Sequence, residues 1–88
     1  MIETTVKVIN NAGLHTRPAA SVVKTASRFK SEIFLIRDSY LINAKSIIGV
    51  MTLAAENGCS LILQTEGDDE KEAADAIIHL FTTGFGEV

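Results

Sequence analysis

At 88 residues, 47% hydrophobic and with a formal net charge of −3, the chain has enough apolar material to fold as one domain over residues 1–88 and too little basic charge for a broad nucleic-acid surface. A single cysteine, Cys59, excludes an intramolecular disulfide framework. No run approaches the roughly 20 apolar residues that span a bilayer, and the first residues lack the basic-then-apolar pattern of a secretory signal, so the expectation is a cytoplasmic monomer that does not bind membranes.

Residues 2–9 alternate, with Ile2, Val6 and Val8 on one side and Glu3, Thr5 and Lys7 on the other, which predicts a half-buried strand. Asn10, Asn11 and Gly13 break it. From Thr16 the period becomes helical, with Ala19, Val22, Val23 and Ala26 on one face. Thr16 is the predicted cap, and Pro18 fits only a first helical turn. Glu32–Arg37 and Tyr40–Asn43 read as two strands joined at Asp38-Ser39. A second helix is expected from its cap Ser46 to about Glu56, with Gly58 as its stop. Residues 59–66 alternate again, Gly67-Asp68-Asp69 turns the chain, and a last helix buries Ala73, Ala74, Ile77 and Phe81. The order β-α-β-β-α-β-α predicts an α+β fold, with helices on one face of an antiparallel, open-faced sheet.

Gly13-Leu14-His15-Thr16-Arg17-Pro18 is the stretch richest in chemistry. A helix start offers unpaired backbone N–H groups and a partial positive charge, and such ends bind anions. The backbone at Thr16 and Arg17, with the Arg17 guanidinium, could hold a phosphoryl group on the ring of His15. Taken alone, a histidine before a helix is an ordinary solvated loop residue, and both readings stand on the spacing. No metal site is expected, because the other histidine, His79, lies far along the chain on the last helix and Cys59 is not adjacent to either. No cofactor is implied, and the absence of a general base or substrate pocket favours a covalent relay over a stand-alone catalyst.

The second helix carries more apolar surface than one sheet can cover. Val50, Leu53 and Ala54 supply the core-facing stripe, while Ile47, Ile48 and Met51 form a second face that fits a docking patch better than two-sided burial. Gly49 would lower that surface for a partner's close approach. Ser46 reads as an N-cap, or as a serine whose phosphorylation the helix start tolerates. Lys24, Arg28, Lys30 and Lys45 form a candidate local positive patch on an acidic protein.

The two segments Gly13–Ala20 and Asn43–Met51 together resemble HPr, the histidine-containing phosphocarrier of the bacterial phosphoenolpyruvate-dependent phosphotransferase system. The likeness runs essentially the whole chain. It implies an open-faced β-sandwich with three helices on a four-stranded antiparallel sheet. It implies that His15 takes a phosphoryl group on Nδ1 from phosphorylated enzyme I and passes it to IIA components. Arg17 then steadies the phosphate, and Ser46 is the serine that a kinase/phosphorylase modifies in some lineages. Thr16, Ala20, Lys24, Ile47, Ile48 and Met51 match the family's docking surface. Ala12 stands where some members carry a hydroxyl near the phosphate. Residues 52–58 and 80–87 are closer to the nitrogen-related branch, which serves regulation rather than sugar uptake; a regulatory module switched by phosphorylation is the alternative function.

Overall fold

A computed structural model describes residues 1–87. Its elements follow the expected order: β1 (Ile2–Lys7), α1 (Thr16–Ala26), β2 (Glu32–Arg37), β3 (Tyr40–Asn43), α2 (Ile47–Thr52), β4 (Ser60–Glu66) and α3 (Glu70–Thr82), then a short 3-10 turn at Gly84–Gly86. The strands form one antiparallel sheet in the order β1-β4-β2-β3. Ile62 pairs with Thr5 on one side and Ile36 on the other, which fixes the register of the three longer strands. Leu61, Leu63 and Thr65 face inward and are buried, whereas Ser60, Ile62 and Glu66 are exposed on the open face. This is the open-faced sandwich with three helices that the sequence led us to expect.

The core lies between sheet and helices. Leu35, Leu61 and Leu63 from the sheet meet Val22 of α1, Val50 of α2 and Ile77 and Phe81 of α3, all fully or nearly fully buried. The side chain of Arg37, at the end of β2, spans the domain edge. Its Nη1 donates to the carbonyls of Leu53 at 2.7 Å and Ala54 at 2.8 Å, the carbonyls that the end of α2 leaves open. Asp69, just before α3, accepts from the amides of Lys30 at 3.0 Å and Ser31 at 2.9 Å and from the Ser31 hydroxyl. The Ser31 hydroxyl, followed by the Lys30 amide, holds the Asp69 carboxyl below its ordinary 3.8, at about 2.

Three local expectations are corrected. The second helix ends at Thr52, not near Glu56, because Ala54 turns into the left-handed region at φ 48° and its carbonyl is taken by Arg37. Ala54 is therefore exposed, and Ala55 enters the core instead. Gly58 starts the return to the sheet, donating its N–H to the Val8 carbonyl at 2.7 Å. Gly49 makes its close approach inward: an added Cβ would lie 3.3 Å from the Asn43 carbonyl oxygen and 3.4 Å from the Ile42 side chain.

Candidate functional site

The loop between β1 and α1 is pinned at three points. Asn10 is 1% exposed and donates from Nδ2 to the Gly13 carbonyl at 2.8 Å. Gly13 has φ +73°, and a Cβ there would sit 2.5 Å from the Ala55 carbonyl oxygen, a contact only glycine permits. Leu14 is buried and donates its N–H to that same carbonyl at 2.8 Å. The next residue, His15, is thereby forced outward, with 44% of its side chain exposed.

His15 is itself the N-cap of α1, with extended φ −81° and ψ −168°, and its carbonyl accepts from Ala19 at 2.9 Å. This corrects the placement of Thr16, which is the first helical residue. No side chain caps this end. Pro18 has no N–H, so the orphan donors of the first turn are the amides of Thr16 and Arg17, and neither has a partner among the described residues. The Arg17 side chain is exposed and in no ion pair among the described residues. The histidine, two open amides and a guanidinium thus share one helix mouth. No acidic residue belongs to the first turn itself.

Among the described residues, one carboxylate approaches the ring from elsewhere. Glu87 Oε1 lies 3.5 Å from His15 Nε2 and accepts from Asn10 Nδ2 at 3.0 Å. Neither Asn10 nor Glu87 was foreseen. Their contact spans 77 residues, and no local spacing carries such a signal.

Ser46 is the cap of α2 as expected, its hydroxyl accepting from the Gly49 amide at 3.1 Å. Beside it Ile47, Ile48 and Met51 are exposed at 38%, 76% and 43%. Thr16, Ala20 and Lys24 are exposed on α1, which packs against α2. Two members of the expected positive patch meet at Phe29. Lys45 Nζ donates to the Phe29 carbonyl at 2.8 Å beyond the end of α1, and the Arg28 guanidinium lies 5.7 Å from the Phe29 ring centroid. His79 is exposed on α3, and Cys59 is partly buried against the core. No group of three or more His, Cys, Asp or Glu among the described residues could hold a metal ion. No helix among them is long and apolar enough to cross a membrane.

Known proteins share the sequence and fold of this chain along most of its length. Residues 2–83 match the family model described as the phosphotransferase-system HPr component phosphorylation site. The phosphocarrier protein HPr of Treponema pallidum (strain Nichols) is 53% identical over 87 residues, covering 99% of both chains. The HPr-like protein Crh of Halalkalibacterium halodurans is 50% identical over 78 residues, 89% of this chain and 93% of that one. Among solved structures, HPr from Thermoanaerobacter tengcongensis superposes with a TM-score of 0.96 at 46% identity, covering 100% of this chain and 99% of the other.

Proposed function

The chain belongs to the HPr family of phosphocarriers of the phosphotransferase system, and from that premise we propose that His15 is the residue that carries the phosphoryl group, taken from phosphorylated enzyme I and delivered to a IIA component. The observation that supports this reading is the half-exposed His15 ring at the cap of α1, beside two amides that have no partner among the described residues. The Nδ1 lone pair forms the N–P bond while the donor's bond to phosphorus breaks, its electron pair leaving with the donor. The Thr16 and Arg17 amides and the Arg17 guanidinium meet the anionic oxygens. The helix end contributes about 0.3–1 kcal/mol toward that anion. Delivery is the reverse step with a new acceptor.

Transfer between two proteins needs in-line geometry in a docked complex. In this reading Ile47, Ile48 and Met51, with Thr16, Ala20 and Lys24, form the surface on which enzyme I and IIA alternate. In this reading the carrier is a cytoplasmic monomer whose one face serves both partners in turn. It is a covalent relay that needs no cofactor or metal of its own.

Ser46 gives the same surface a second level of control. A phosphate there adds about −1.5 to −2 charge at the start of α2, next to Ile47 and Ile48, where it would repel an acidic partner. In this reading a serine kinase/phosphorylase adds that phosphate.

The test is labelling with phosphoenolpyruvate and enzyme I. Wild type is expected to take acid-labile, base-stable phosphate, and His15→Ala none; label persisting in that variant would refute the assignment. Offering sugar-type and nitrogen-type IIA proteins in turn shows which branch the chain serves.

A further inference from the structure

The contact between Glu87 and His15 is not explained by the helix mouth, and three observations make it a built arrangement. First, the tail is held in place. Phe85 packs edge-on against Phe81 with ring centroids 5.0 Å apart, and Gly84 is buried, with an added Cβ lying 3.6 Å from Ile9. Glu87 donates its own N–H to the Gly84 carbonyl at 2.9 Å. Phe85 adopts φ 59° to make this turn, a conformation that a bulky residue keeps only when its surroundings impose it. Second, the carboxylate is only one-fifth exposed. Third, Asn10 is locked. Its two neighbours, the Gly13 carbonyl and the Glu87 carboxylate, are both acceptors, so only the NH2 end of the amide can face them. That orientation leaves Asn10 Oδ1 buried without a partner among the described residues, a cost the fold accepts while Nδ2 bridges loop and tail.

We propose that Glu87 is the positioning residue of the phosphoryl acceptor: it keeps the proton on His15 Nε2 and so leaves Nδ1 as the free nucleophile. This rests on His15 being the carrier. An ionised carboxylate can only accept, so the ring nitrogen that faces it must be the protonated one. The tautomer of a histidine is set by the hydrogen bond its other nitrogen makes. At 3.5 Å the two atoms face each other without a formed hydrogen bond, and hydrogen bonds at reacting groups often close only once the partner is bound.

The proton inventory follows. When Nδ1 bonds to phosphorus, Nε2 keeps its hydrogen and the ring becomes a cation, which Glu87 faces. When phosphorus leaves, the N–P electrons return to Nδ1 and the ring is again neutral with Nε2–H. No proton moves in either direction, and Glu87 balances the ring charge in between. Arg17 and the amides act on the phosphate; Glu87 acts on the ring.

Two variants test this. Glu87→Ala removes the acceptor. Glu87→Gln removes the charge but keeps an oxygen that can accept from Nε2–H and from Asn10. In ¹⁵N-labelled, unphosphorylated protein with the ring neutral, long-range ¹H–¹⁵N spectra report the tautomer directly. The expectation is Nε2–H alone in wild type and in Glu87→Gln, and a mixture of both tautomers in Glu87→Ala. Turnover with enzyme I at saturating carrier should fall about fivefold in Glu87→Ala, the worth of one hydrogen bond of ordinary strength, as suits so long a contact, with little change in KM, and less in Glu87→Gln. A wild-type tautomer mixture that Glu87→Ala leaves unchanged overturns the proposal. So does a shifted tautomer with wild-type turnover. The spectra need no donor protein, so a failure of phosphoryl loading, which would refute the carrier assignment, is seen separately from a failure of Glu87 to set the tautomer.

Discussion

Ile48 is the residue on which the docking surface can be judged most cleanly. It is 76% exposed, so replacing it removes little of what holds the domain together. Full burial of an isoleucine side chain contributes about 1.5–3 kcal/mol, and burying the three-quarters still exposed contributes about 1–2 kcal/mol. If a partner covers Ile48, Ile48→Ala should lose most of that and raise the KM for transfer from enzyme I roughly 5- to 30-fold. Ile48→Glu should cost more, because the complex must then desolvate a charge. Folding stability of Ile48→Ala should stay within about 0.5 kcal/mol of wild type, as for other surface substitutions. The assay is steady-state transfer with the carrier as varied substrate, paired with a chemical-denaturation curve. An unchanged KM in both variants would remove Ile48 from the interface. A large fall in stability would show that the face is structural.

Other consequences are equally direct. Ser46→Ala should cost about 1 kcal/mol through the lost cap, lowering Tm by roughly 4–8 °C in a domain of this size. Ser46→Asp, which keeps an acceptor at the helix start, should melt near wild type yet transfer more slowly; equal melting losses would contradict the capping argument. Arg37→Ala leaves the Leu53 and Ala54 carbonyls to solvent and should destabilise by about 1–2 kcal/mol after allowance for partial exposure, read by thermal unfolding. Asp69 is held low in the folded state, so its contribution is present above the unfolded value of 3.8 and lost as pH falls towards about 2. Glu70 is lowered too, by the Gly67 amide and the N-terminal amine. The stability gap between wild type and Asp69→Asn should therefore shrink across that acid window, and a gap independent of pH would refute the clamp.

The parts of this molecule that sequence makes legible are those encoded within a few residues. Alternation along 2–9 and 59–66, helical spacing after Thr16, the Ser46 cap and the Asp38-Ser39 turn each rest on neighbours in the chain, and each element formed where expected. The fold class follows from their order. Where the reading slipped, a distant group decided. The end of α2 depends on Arg37, which reaches across from β2 to hold Ala54 in a conformation its own side chain disfavours. The cap of α1 falls on His15 rather than Thr16 because Gly13 and Leu14 are tied to Ala55, and that sets where the chain enters the helix. Glu87 and Asn10 are the strongest instance: neither residue type is unusual where it stands, and only the folded tail brings the carboxylate to the ring.

The central claim is chemical, and one spectrum addresses it. Uniformly ¹⁵N-labelled protein, phosphorylated with enzyme I and phosphoenolpyruvate, should show ³¹P–¹⁵N coupling to a single imidazole nitrogen, Nδ1 of His15, with Nε2 still protonated. Phosphorus bonded to Nε2, or found on His79 or Ser46 under those conditions, would contradict the account.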